Sequence, residues 1–419
     1  MKGAIGEVVG VFPGLQRAVD AWVVEGDSRP LVRWLGRQLD QDGVPLDLPV
    51  SDWGHALALI AEAQRRRAVG WPEAVDALVE GWVRSLLRFS RPDGSPAMSQ
   101  PLALPEIGKL LRGWVRRLSD PGLETVVSWW FPARTRGRGH AAPPLPAWSR
   151  GDRPFAVLRA NWSAEGDFVA VDHRLRGASS SFELFGLGRT WLGPDWAFGG
   201  ADSAATRARP TCWHSDSSAD LAEWTFRAGE SRVVRSAALL RGRQIAVLAD
   251  QVEGGEPVWE MRLGLPELVI TEPVAESRAL GLVARGGRAR ARVFPLALPR
   301  RPEGVERGSL AADGSALVLK QPAEARRSWL PLVVSWSPER NRRAAHWRTL
   351  TVSEKSKPCP PGTAFAARLS WGRGETLVVY RSLGRPALRS FLGHQTRARY
   401  LIGLFTSEGR VEPILKVDE

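Results

Sequence analysis

Cysteine is nearly absent from the 419-residue chain: Cys212 and Cys359 are too few for a disulfide framework or a cysteine-only zinc cluster. Both suit a reducing compartment. No run approaches the roughly eighteen uninterrupted apolar residues of a membrane-spanning helix, so no membrane partner is expected. The opening "MKGAIGEVVGVFPGLQRAVDAW" breaks its short apolar patch at Glu7 and lacks a cleavage site, which makes it a poor signal peptide. As written the chain reads as cytoplasmic; a misassigned start would make it periplasmic or secreted. Only six of the 58 basic residues are lysine. The scarcest polar side chains matter most. Tyr380 and Tyr400 are the only tyrosines, Asn161 and Asn341 the only asparagines, and residues 1–131 hold neither. Chemistry that needs a tyrosine or an asparagine from that part is excluded.

What is present describes a globular protein: 43% hydrophobic and 25% charged residues, at a length that allows two or three domains. The net charge of +13 suits a polyanion, nucleic acid or acidic polysaccharide. A GC-rich genome produces the same arginine excess. No helix-turn-helix, zinc finger or RNA-binding strand pattern occurs, so no nucleic-acid partner is expected.

Apolar residues at three- and four-residue spacing predict helices over 13–24, 29–40, 51–67, 71–89 and 104–120. Ser51 and Asp52 can cap the third, Pro72 sits in the first turn of the fourth, and Pro121-Gly122 stops the fifth. Two inter-helix stretches, "WLGRQLDQDGVPLDLP" and "LLRFSRPDGSPAMSQP", repeat an Asp-Gly turn before a proline-containing segment. Residues 132–150, rich in Pro, Gly and Arg, read as a linker. From 151 to 419 short β-branched runs alternate with Gly and Pro turns, the cadence of a large antiparallel sandwich. The expected architecture is α+β: a helical domain over 1–131 resembling a truncated α/α-toroid, then an all-β domain.

That order, with "VLRANWSAEGDFVAVDH", "SFELFGLGRTWLGPDW" and "RSAALLRGRQIAVLADQVEGGEPVWEMRLGLP" across 151–265, resembles the heparinase II/III-like polysaccharide lyases. The resemblance implies uronate β-elimination, which needs a group to neutralise the carboxylate, a base for the C5 proton and an acid for the leaving oxygen. The family usually supplies Asn, Tyr and His, the first two largely from its toroid. Anchored on "SFEL", the family's two sandwich histidines fall on Arg174 and Arg176 and its aspartate on Ala178. His173 is one residue out of register, which in a strand points to the other face. Its plain reading is a strand-end residue at the surface.

Other candidates stand beside it. His55, in "SDWGHALAL", could line a toroid cleft or simply pair with a nearby carboxylate. Cys212, His214 and Asp216 share a face if extended, but four ligands are wanted and no partner pair is visible, so a loop is expected and no metal or other cofactor. Asp47, Asp52, Glu62, Asp76 and Glu80 suffice for a paired-carboxylate glycosidase yet are ordinary helix acids. Arg235 and Asp250 are expected to pair across the sheet.

Nineteen tryptophans are a strong bias. Indole faces stack on sugars and arginine binds carboxylates and sulfates in bidentate fashion. The helical tryptophans, Trp22, Trp34, Trp71 and Trp82 among them, are expected to fill seams, whereas Trp191, Trp196 and Trp213 are the expected exposed rings. Two hypotheses follow. One is a heparinase-like protein that acts on or binds acidic polysaccharide with the standard Tyr/Asn/His apparatus lost or changed, binding through Arg174, Arg176, Trp191, Trp196 and Trp213. The other is an active divergent carbon–oxygen lyase, using His173 or His55 with an arginine as carboxylate neutraliser.

Overall fold

The three- and four-residue spacing of apolar side chains does produce helices. The computed structural model describes residues 12–66, 73–99, 107–118, 120–132, 141–174, 178–199, 205–301, 308–372 and 374–418. Helix α1 (Pro13–Asp20) runs into a π-helical turn (Ala21–Glu25), closed by Gly26 at a left-handed φ of 83°. Then come α2 (Arg29–Gln38), α3 (Trp53–Arg66), α4 (Glu73–Arg88) and α5 (Ile107–Leu118). A further helix, α6 (Pro121–Trp130), begins where the sequence pattern suggests only a stop. Asp120 caps it, accepting from the backbone N–H of Gly122 (3.0 Å) and Leu123 (3.1 Å). Pro121 takes the first-turn position, which needs no donor. One Asp-Pro-Gly thus ends a helix and starts the next.

The two similar inter-helix stretches fold alike. Leu39 bridges Pro45 and Ser90 bridges Pro96, both antiparallel. In the first turn Asp40 Oδ1 accepts from the N–H groups of Asp42 and Val44, each at 2.9 Å; in the second Asp93 accepts from the N–H of Ser95 at 2.8 Å. Gly43 and Gly94 hold the left-handed positions, at φ 73° and 84°. The first turn presses on α4 so closely that a Cβ on Gly81 would lie 2.0 Å from the carbonyl oxygen of Asp42. Most helical tryptophans fill seams, as their spacing predicts: Trp22, Trp53, Trp82 and Trp114 are buried and Trp34 stacks on Trp82 at 6.4 Å, whereas Trp129 on α6 is exposed. Trp71 and Pro72 lie outside the described residues.

Contacts divide the chain into Met1–Pro146 with Trp162–Glu165, and Ala147–Asn161 with Gly166–Glu419. Trp148–Ser149, inside the stretch read as linker, pairs with strand Phe155–Arg159. Among the described residues the second unit holds four antiparallel sheets of nine, eight, five and four strands. Alternating side chains assign their stacking. Leu158, Phe182 and Trp196 of the nine-stranded sheet meet Trp224, Leu248 and Leu332 of the eight-stranded sheet in one core. The other face of the eight-stranded sheet, with Leu221, Val247 and Val333, packs on Leu369, Val379 and Ile402 of the five-stranded sheet. That sheet's far face, with Val378 and Tyr380, packs on Phe391 of the smallest sheet. The expected sandwich is therefore a four-layer stack. No helix among the described residues is long and apolar enough to cross a membrane.

Candidate functional site

Strands Phe155–Arg159, Phe168–Asp172 and Ser179–Gly186 send Ala156, Leu158, Val169, Val171, Phe182 and Leu184 into the core. Their opposite face carries three cross-strand rows: Phe155–Asp172–Ser181, Val157–Ala170–Glu183 and Arg159–Phe168–Phe185. Arg159, Asp172 and Glu183 are buried in these rows. The Arg159 guanidinium lies 4.4 Å from the centre of the Phe168 ring, which itself stacks on Phe185 at 5.0 Å. Burial pushes Arg159 down to about 9, while the Glu183 carboxylate works against that fall. Glu183 also accepts from the Thr190 hydroxyl at 2.8 Å. Arg159 is 0% and Glu183 1% exposed, so this pair belongs to the interior and offers no open surface to a ligand.

His173 follows directly on the middle strand, and its one-residue offset decides its place. Its N–H donates to the Pro154 carbonyl at 2.9 Å, and its ring turns to the core side, 5.0 Å from Trp224 and 5.8 Å from Phe226. The residue is 5% exposed and its Nε2 is buried with no hydrogen-bond partner. Desolvation, then the charge of Arg235, pushes its pKa well below the ordinary imidazole value. It is a neutral interior histidine, which corrects the surface placement expected from sequence. Arg174 goes the other way, onto the face of Asp172. Its Nε and Nη2 donate to the two Asp172 carboxylate oxygens at 2.9 and 2.7 Å, its own N–H adds a bond at 3.0 Å, and its guanidinium covers Phe155 at 4.2 Å. Arg176 lies outside the described residues.

Beneath His173 the expected Arg235–Asp250 pair is present and wholly buried. Arg235 Nε and Nη2 reach the Asp250 oxygens at 2.9 and 3.1 Å. Arg235 Nη1 donates to Ser180 Oγ (2.9 Å) and to the Trp196 carbonyl (2.7 Å), and the Trp196 indole N–H donates back to Asp250 at 3.3 Å. This network ties the nine-stranded sheet to the eight-stranded one. It also corrects the expectation for Trp196: the ring is fully buried, under the Arg235 guanidinium at 4.6 Å. Trp191 is equally buried and donates to the Gly186 carbonyl at 3.1 Å. Neither ring is available to stack on a sugar. Trp213 is half-buried against the same core.

His55 stands half-buried on α3 of the helical unit, near Asp52. Burial raises the Asp52 pKa, opposed by the Ser51 hydroxyl and the charge of His55. Glu80 pairs with Arg84 at 2.5 Å, the plain helix-surface role. The expected loop at "CWHSD" is instead the edge strand Arg209–Ser215. There His214 Nε2 sits 3.0 Å from Asp216, and burial raises the Cys212 thiol. Among the described residues no group of three or more His, Cys, Asp or Glu side chains is placed to hold a metal ion.

Sequence reasoning missed Arg159 and Glu183, and a second buried cluster with them. Glu223 accepts from Arg381 and pairs with Arg399 at 2.6 Å; Arg381 also donates to Gln251 at 2.8 Å and covers the Tyr400 ring at 5.4 Å. The available signal was a lone charge inside an apolar strand: Arg159 in "AVLRA", Glu183 in "FELF", Glu223 in "LAEWTF", Arg381 in "VVYRS".

No family model and no curated protein sequence matches the chain. Solved structures do. The heparan sulfate lyase HepC from Pedobacter heparinus superposes with a TM-score of 0.62 at 16% identity, covering 88% of this chain and 65% of that one. A heparinase III structure, the BT4657 gene product, gives 0.61 at 13% identity, again covering 88% and 65%. Its form with methylated lysines gives 0.59 at 12% identity, covering 88% and 64%. The chain thus spans slightly less than two thirds of the length of these structures. At such identities the likeness is one of fold: a small helical region followed by a large, heparinase-like antiparallel β part.

Proposed function

We propose that this protein binds acidic polysaccharide on a heparinase-like scaffold from which the family's elimination apparatus has been lost. The observation that carries the reading is the seat of His173. Its ring is locked between two sheets against Trp224 and Phe226, with its pKa far below neutrality. A base must reach the proton it removes and titrate near the working pH. The neighbouring Arg174, at a position the resemblance gives to a histidine, commits its guanidinium to Asp172. The helical part has no tyrosine or asparagine for the remaining roles. Support for an acidic glycan comes from the heparan sulfate lyase fold and from the +13 charge, carried almost entirely by arginine, whose fork fits carboxylate and sulfate.

The test is retention of the purified chain on immobilised heparan sulfate across a salt gradient. Retention that falls as salt rises, with the polysaccharide eluting undegraded, is the expected result. Passage through the column at low salt contradicts the reading.

A further inference from the structure

Side chains that alternate along each strand give the five-stranded sheet two distinct faces. Trp347, Leu369 and Leu377 face the eight-stranded sheet, whereas Ala366, Val378 and Tyr380 face outward and are buried under the smallest sheet. That cover stops short. The strand pairing places Arg348 of Ala345–Thr349 directly across from Arg368 of Ala364–Trp371, with Val378 next in the row. The adjoining outward row is His346, Ser370 and Thr376. Arg348 and His346 are exposed, and Arg368, Ser370 and Thr376 are half-buried. An open shelf therefore lies beside the smallest sheet, bounded by the edge strand Ala345–Thr349. It carries two guanidinium groups, an imidazole and the Ser370–Thr376 hydroxyl pair, 2.8 Å apart.

The facing arginines break the habit of this unit. Arg235, Arg241, Arg340 and Arg389 each hold a carboxylate. Arg348 and Arg368 have no carboxylate within ion-pair reach among the described residues, and like charges directly opposite one another destabilise a sheet. Partial burial first, and the Arg348 charge second, push Arg368 below the ordinary guanidinium value, with no acid opposing that fall. An anion set between the two forks relieves the repulsion and accepts charge-assisted bonds from both. The Ser370–Thr376 hydroxyls stand about 7 Å further along the strands, at roughly the reach of a sugar ring and its substituents. An open shelf also suits a polymer that passes across it. We infer that this shelf is where acidic glycan is held: Arg348 and Arg368 clasp one carboxylate or sulfate group, and the hydroxyl pair meets the same sugar unit. That the anion belongs to a glycan rests on the function proposed above; the anion site itself rests on the unpaired arginines.

The experiment is titration calorimetry of the full chain with a heparan sulfate octasaccharide and with octagalacturonate, which carries carboxylates alone. The variant combines Arg348→Gln with Arg368→Met, the methionine keeping the apolar stem. Because it removes two opposed like charges, its melting temperature should stay at or above that of the parent. Binding of at least one oligosaccharide should weaken by about tenfold or more; loss of the heparan sulfate octasaccharide alone assigns the clasped group as sulfate. The comparator, Arg285→Gln with Arg288→Gln, removes the same charge from the exposed turn between Leu280–Ala284 and Arg290–Pro295. It should change affinity by less than about twofold at physiological salt. Equal loss in the two variants, no loss in the first, or a parent that binds neither oligosaccharide overturns the shelf. The shelf and the proposed function fail in different ways. If the parent is not retained on heparan sulfate but binds octagalacturonate through Arg348 and Arg368, the shelf stands as a carboxylate site and the proposed function falls. If the parent is retained on heparan sulfate and the Arg348/Arg368 variant equally so, the shelf falls and the proposed function stands.

Discussion

Replacing Arg235 with methionine strands the Asp250 carboxylate in the core between two sheets. Both side chains are 0% exposed, and two bonds of 2.9 and 3.1 Å join them. Breaking a buried pair by removing one partner costs about 3–5 kcal/mol, because the remaining charge is desolvated and uncompensated. Losing the bonds to Ser180 and the Trp196 carbonyl keeps the expected cost near the upper end. Asp250→Leu should cost a similar amount, since it strands the guanidinium and the Trp196 indole N–H. In the double variant neither position leaves a buried charge, and the two residues become apolar groups of comparable volume. The double loss should therefore fall short of the summed single losses by at least about 2 kcal/mol. Urea unfolding followed by ellipticity of the β unit measures all four corners of this cycle. Additive losses, or a single-variant cost under about 1 kcal/mol, would refute the claim that this pair clamps the sheets.

Other consequences are as specific. Burial holds Asp167 at about 6, with its carboxylate accepting from the Trp336 indole N–H at 2.8 Å. The native state binds that proton more tightly than the unfolded chain does, so this group's stabilising share is present below about pH 4 and lost as pH rises through about 6. Asp167→Asn should accordingly raise stability by about 1–3 kcal/mol at pH 8, with the gain vanishing toward about pH 4; an equal gain at both pH values contradicts this. His173 has the opposite sign. Its folded pKa is depressed, so stability is lost as pH falls below the unfolded value of 6.5, by up to about 1.4 kcal/mol per pH unit. His173→Phe should flatten that acid limb in a pH series of melting temperatures, whereas an unchanged slope would mean the imidazole is not desolvated. Gly81→Ala should destabilise by about 2 kcal/mol or more because its Cβ meets the Asp42 carbonyl, while Gly113→Ala, with nothing within 4 Å, should stabilise by about 0.5–1 kcal/mol.

Local patterning made much of this fold legible. The repeated Asp-Gly turns proved to be two alike bridged turns, and the apolar spacing located the helices to within a few residues. The α6 helix escaped because its start signal, Asp-Pro-Gly, is also a stop signal, and only the cap bonds of Asp120 distinguish the two. Layer number was hidden for a related reason. Strands buried on both faces, such as Ile245–Glu253, read as continuous apolar runs whichever partners cover them. The site was harder still. Register arithmetic correctly separated His173 from Arg174, but burial is a long-range property. Trp191 and Trp196 sit beside Gly and Pro turns that suggest exposure, yet a second sheet from distant sequence covers both. Arg159 and Glu183 were masked by the apolar strands that carry them.

Binding of acidic glycan without uronate elimination is tested most directly by ultraviolet absorbance of the unsaturated product. The purified chain is held with a panel of uronate polysaccharides while the absorbance is followed. A flat trace with heparan sulfate that is demonstrably bound is the predicted result. A steady rise that disappears in His173→Gln or His55→Gln would contradict the account and restore the lyase.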